Sequence, residues 1–157
     1  MATDQTAASY GIFQVAYAAL DQGLTNSLVS FLRSRNESLA VALVALIPFG
    51  RRLQALEALA TALDQDSEYV QHLRAALALA GNVSKWRNAR VHPHVEFLDG
   101  IRPVLVNKDG SPLQIDAKVC WEKIRQSSAA LSELDAYTDR LVSDVEILDG
   151  MMNVELE

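Results

Sequence analysis

The sequence predicts an all-α fold, an up-and-down bundle of four to five helices with a short β-hairpin-like insertion before the last one. Apolar residues recur at spacings of three and four over most of the chain, the period of helices with one buried stripe. One segment, about 94–116, breaks that period with short β-branched runs separated by Asp-Gly turns. No fixed-period repeat or low-complexity block divides the chain. With 157 residues, 50% of them hydrophobic, there is enough material for one core, and 1–157 reads as a single domain.

The first helix is expected from Ala7 to Leu32, where Ile12, Phe13, Ala16, Tyr17, Leu20, Leu24, Leu28, Phe31 and Leu32 form the stripe. A polar break at Ser34-Arg35-Asn36-Glu37-Ser38 supplies cap residues. Leu39 to Leu46 then form a second helix, so apolar that it should be nearly buried, stopping near Pro48. A third helix carries Leu53, Leu56, Leu59, Ala60 and Leu63 inward, with Arg51, Arg52, Gln54 and Glu57 as its polar complement. Asp66 or Ser67 caps a fourth, whose apolar positions Val70, Leu73, Leu77 and Ala80 lead into Val83, Trp86 and Val91, with a kink expected at Gly81-Asn82. After the insertion, Val119, Cys120, Ile124, Leu131, Leu134, Tyr137, Leu141, Val145 and Leu148 restore the helical period in a long closing helix. The tail after Asp149 and Gly150 is expected to fray.

The formal charge of -6 and a pI near 5.0 argue against holding long nucleic acid by bulk electrostatics, since each phosphate contact calls for a Lys or Arg. Any such contact must be local. A single cysteine, Cys120, can form neither an intramolecular disulfide nor a cysteine-based zinc site, which fits a reducing cytoplasm. The N-terminus lacks the basic start and apolar core of a signal peptide, and Leu39 to Phe49 is too short to span a bilayer, so no membrane association is expected.

Common enzyme signatures are missing: there is no glycine-rich phosphate loop, His-Glu-x-x-His or Gly-x-Ser-x-Gly. The stretch from Tyr69 to Val95 is distinctive because it contains no Asp or Glu, yet holds Arg74, Lys85, Arg87, Arg90 and all three histidines, His72, His92 and His94. In an acidic chain this is the candidate anion-facing surface. Arg87 and His92 are five residues apart, about 140° around a straight helix, and would not share a face. Pro93 drives His92 out of the α region and so toward Arg87 or a second subunit. Asn88, one turn before His92, is placed to fix the orientation of its ring.

Arg beside His suits metal-free RNA cleavage. The imidazole moves protons at the 2′-hydroxyl or the leaving oxygen while the guanidinium stabilises charge on the phosphorane, leaving a 2′,3′-cyclic phosphate. The plainer alternative is that His92 complements a helix dipole and that Arg87 and Arg90 are solvated charges.

The string Lys85-Trp86-Arg87-Asn88-Ala89-Arg90-Val91-His92, late in a helical domain of this size, resembles the HEPN superfamily. Its hallmark is Arg, usually followed by a polar residue such as Asn, with four to six residues between that Arg and a His. The likeness extends loosely over Ala7 to Val145 through helix order, the insertion and the closing helix. It implies a metal-independent endoribonuclease acting as a homodimer, with two Arg/His motifs facing across the dimer cleft, often in toxin-antitoxin or phage-defence systems. It implies Arg87 and His92 as catalytic, Asn88 as positioning, and Lys85, Arg90 and His94 as contacts for RNA or phosphate. It also implies an RNA substrate and a cognate antitoxin protein as partners. His94 stands where toxins paired with a nucleotidyltransferase antitoxin often carry Tyr, so nucleotidylation there is not expected. The alternative within the same likeness is a non-catalytic helical module that binds nucleotide, RNA or a protein.

Other residues have plainer roles. His72 reads as a surface or boundary histidine, Trp86 and Trp121 as core or dimer contacts rather than base-stacking platforms, and Cys120 as a buried structural thiol. His92 and His94 lack a further ligand at obvious spacing apart from Glu96, so no metal or cofactor is expected. A plain scaffolding bundle is a third possibility, suited to the acidic charge and the high Ala and Leu content.

Overall fold

The structure is a computed structural model that describes residues 2–32, 37–62, 68–90, 94–98, 102–106, 111 and 115–154. Of these, 2–4, 37, 69, 94–98, 102–105 and 141–154 are described by backbone alone. Its elements in chain order are α1 (Ala2–Leu32), α2 (Glu37–Ala45), α3 (Phe49–Ala62), α4 (Glu68–Asn88), β1 (His94–Leu98), β2 (Arg102–Val106) and α5 (Ala117–Val154). The helices form a bundle in which α5 packs along both α1 and α4, α3 lies against α4 and α1, and α2 covers part of α1.

Helix-spaced apolar residues build the core. Phe13, Leu20, Leu24 and Leu28 of α1 meet Leu56 of α3, Val70, Leu73 and Val83 of α4, and Leu134 and Tyr137 of α5. Where α1 packs on α5, a Cβ on Gly23 would lie 2.5 Å from Leu131 Cδ1, so its missing side chain makes room for that leucine. Beside it, Ser27 Oγ donates to the Gly23 carbonyl at 3.0 Å and lies 3.2 Å from Thr138 Oγ1 on α5. The pair gives this apolar crossing one polar register mark.

Local chemistry sets the helix boundaries. The Pro48 carbonyl accepts the N–H groups of Arg51 and Arg52 at 2.8 and 3.1 Å, so Pro48 starts α3 as it ends α2, and the two helices bend by 114°. Asp116 Oδ1 accepts the Lys118 N–H at 2.8 Å and caps α5. The candidate caps Asp66 and Ser67 lie outside the described residues. The insertion contains β1 and β2, paired antiparallel with His94 opposite Val106 and Leu98 opposite Arg102.

Several expectations need correction. The second helix is not nearly buried: Ala40 and Val44 face the core, but Leu39, Leu43 and Leu46 are 54%, 57% and 80% exposed. A short helix resting on one neighbour can bury only one face, whatever its composition. Arg52 is not part of a solvated face either. It is 5% exposed, pairs with Asp21 Oδ1, and donates to Thr25 Oγ1 and, at 3.3 Å, to the Asp21 carbonyl, joining α3 to α1. Helix α4 is continuous through Gly81 and Asn82. The backbone of α5 also stays helical past Gly150 to Val154, where fraying was expected. No single helix among the described residues is long and apolar enough to cross a membrane.

Candidate functional site

Helix α4 delivers Arg87 at its last turn. The helix ends at Asn88, earlier than the spacing predicts, and the Arg90 N–H closes a tighter turn onto the Arg87 carbonyl at 2.8 Å. The regular helix therefore ends four residues before His92. The 140° argument against the pair applies only to a straight helix, so it lapses here. Val91, His92 and Pro93 lie outside the described residues, as does the His94 side chain, although the His94 backbone starts β1.

Arg87 forms a closed ring with three other side chains. Its guanidinium lies over the Tyr17 ring, 5.1 Å from the centroid. Its Nη1 donates to Asn88 Oδ1 at 3.4 Å, and Asn88 Nδ2 donates to Ser84 Oγ at 3.4 Å. The buried Ser84 hydroxyl is hydrogen-bonded to the Tyr17 hydroxyl, which closes the circuit. Tyr17 also makes a stacked contact with Phe49, 4.9 Å between centroids. Burial pushes the Tyr17 hydroxyl above its ordinary pKa of 10.0, against the opposing effects of the Ser84 bond and the Arg87 charge. Tyr17 is thus a neutral platform at physiological pH, and an aromatic face under a guanidinium fixes its plane.

The remaining cations of the stretch do not converge on Arg87. Lys85 is two residues earlier, about 200° around the helix, and lines a groove between α3 and α4 with Arg74. Arg90 lies over the Trp86 ring at 4.5 Å, and its Nη1 donates to the Trp86 carbonyl at 3.3 Å. Trp86 is partly buried and packs edge-on against Phe13 of the core at 4.7 Å. Trp121, by contrast, is 42% exposed. His72 Nδ1 pairs with Glu133 Oε2 of α5, a bridge between helices. Cys120 is buried, and burial pushes its thiol above the ordinary 9.0, the behaviour of a packing residue. No group of three potential metal ligands gathers among the described residues.

Sequence reasoning missed Tyr17, Ser84 and the Asp21–Arg52 pair. Tyr17 and Ser84 carried a usable signal: a hydroxyl on a core stripe needs a partner. Which partner it finds depends on helix pairing, and periodicity does not specify that. Compared with known proteins, the chain matches no family model, no curated protein and no solved structure.

Proposed function

We propose that the protein is a metal-independent endoribonuclease of HEPN type, with Arg87 and His92 contributed by each protomer of a homodimer to a shared cleft. The observation that carries this reading is the fixed guanidinium of Arg87 at the point where the chain leaves α4, five residues before a histidine. In the proposed reaction the 2′-hydroxyl loses its proton to a base and attacks phosphorus, the bond to the 5′-oxygen breaks, and that oxygen takes up a proton. The products are a 2′,3′-cyclic phosphate and a 5′-hydroxyl. His92 moves the protons and Arg87 stabilises the phosphorane oxygens. A toxin-antitoxin or phage-defence setting, with an antitoxin as partner, is part of the same proposal.

In an assay with end-group analysis, purified protein is expected to release cyclic-phosphate ends, and His92→Ala to lower the rate by about 10²-fold or more. Equal cleavage by wild type and His92→Ala, or none by either, would sink the assignment. The divergence of Lys85 and Arg90 from Arg87 favours a second reading, a non-catalytic module that binds RNA, nucleotide or a protein partner through the Arg87 end of α4. It predicts binding lost in Arg87→Ala with no cleavage products at any protein concentration.

A further inference from the structure

The opposite face of α4 forms a second feature. Between α3 and α4 lies a groove of about 520 Å³, lined by Leu53, Glu57 and Ala60 on one side and by Leu77, Asn82 and Lys85 on the other. The size is that of a small-ligand site. Arg74 and Lys85 are eleven residues apart on α4, about 20° in direction and about 16 Å along the axis, so they stand at the two ends of one wall.

The two cations are not equivalent. Arg74 Nη2 donates to the Ala60 carbonyl at 3.1 Å, one of the last carbonyls of α3, and is committed to that helix end. The Lys85 ammonium has no hydrogen-bond or ion-pair partner among the described residues, and Asn82 lies one turn before it on the same wall. Together they present an amide and an ammonium, donors suited to one anionic head group. The groove is apolar along Leu53, Ala60, Leu77 and Ala78, and Glu57 on the α3 side disfavours a second negative group. Gly81 keeps the middle open: a Cβ built on it meets nothing within 4 Å. A helix-interior glycine is unfavourable against alanine, and here its missing side chain leaves room in the groove.

We infer that this groove binds a small organic phosphate with one anionic head and an apolar body, the head on Asn82 and Lys85 and the body along Leu53 and Leu77. The inference stands apart from the ribonuclease reading, since Lys85 points about 160° away from Arg87.

Calorimetric titration of the whole protein with phenyl phosphate, and separately with inorganic phosphate, tests it. Phenyl phosphate is expected to bind at least about tenfold more tightly than inorganic phosphate. Lys85→Ala is expected to weaken it about tenfold, Lys85→Arg to retain most of it, and Gly81→Leu to abolish it by filling the groove. Arg87→Ala should leave it unchanged. Equal affinity for the two probes, no binding of phenyl phosphate, or binding that survives Gly81→Leu overturns the proposal. Because Gly81→Leu improves helix propensity in open space, an unfolding curve at least as stable as wild type certifies that its loss of binding is local.

Discussion

Tyr17 contributes a ring that supports Arg87 and a hydroxyl that bonds Ser84, and one substitution separates them. Tyr17→Phe keeps the ring and removes one of the two hydrogen bonds of the Ser84 hydroxyl, so urea unfolding should show a loss of about 1 kcal/mol. The same variant tests the raised pKa. The native state holds the Tyr17 proton above pH 10.0 while the unfolded chain releases it, so stability falls as pH rises from 10 toward the folded value. Tyr17→Phe is expected to be less sensitive than wild type between pH 10 and 11, measured by the urea midpoint. An equal alkaline loss in both proteins would show that Tyr17 is not the group responsible. The Arg52 pair makes a prediction of a different kind. Asp21→Ala removes the charge partner of a buried guanidinium that keeps its bonds to Thr25 and the backbone carbonyl of residue 21, and should cost about 2 kcal/mol, whereas Arg52→Met, which replaces the charge with an apolar chain, should cost less.

At the scale of the element, α2 shows where composition and placement part. Leu43→Gln on its outer face should change stability by no more than about 0.5 kcal/mol, while Val44→Ala on its inner face should cost about 2 kcal/mol, both read from unfolding midpoints. The segment's apolar run was plain in the sequence, but its burial was not. Leu39, Leu43 and Leu46 stay exposed because the segment packs mainly on α1 among the described residues. The opposite error occurred at α3, where Arg52 looked like surface because a side chain's charge says nothing about an acceptor on another helix. Helix identity and order were legible because the stripes of α1, α4 and α5 run for many turns. The end of α4 was less so. Pro93 marked a boundary, yet the last regular turn closes at Asn88, where the ring of Tyr17, Ser84, Arg87 and Asn88 ties the helix down.

For the whole molecule, the candidate chemistry divides between two faces of one helix. Arg87 stood out in the sequence through its place before Asn88 and His92, but the division did not, because Lys85, Arg87 and Arg90 are neighbours in the chain and only the turn per residue separates them. This geometry makes the net charge of -6 less of an obstacle, since no extended basic surface is required of a site that uses one fixed guanidinium. If the proposed dimer brings two such sites together, the sedimentation coefficient should fall on dilution in step with specific cleavage activity. A monomer at every concentration that still cleaves RNA would remove the shared cleft from the proposal.

The two tryptophans differ in one further way that follows from their packing. Trp121 is open to solvent, while Trp86 lies between Phe13 and the Arg90 guanidinium, next in sequence to Arg87. A collisional quencher such as acrylamide reaches Trp121 first, so the emission that survives it belongs mainly to Trp86. That residual light is a built-in optical reporter beside the Arg87 site, and its change on adding RNA would read occupancy without any label.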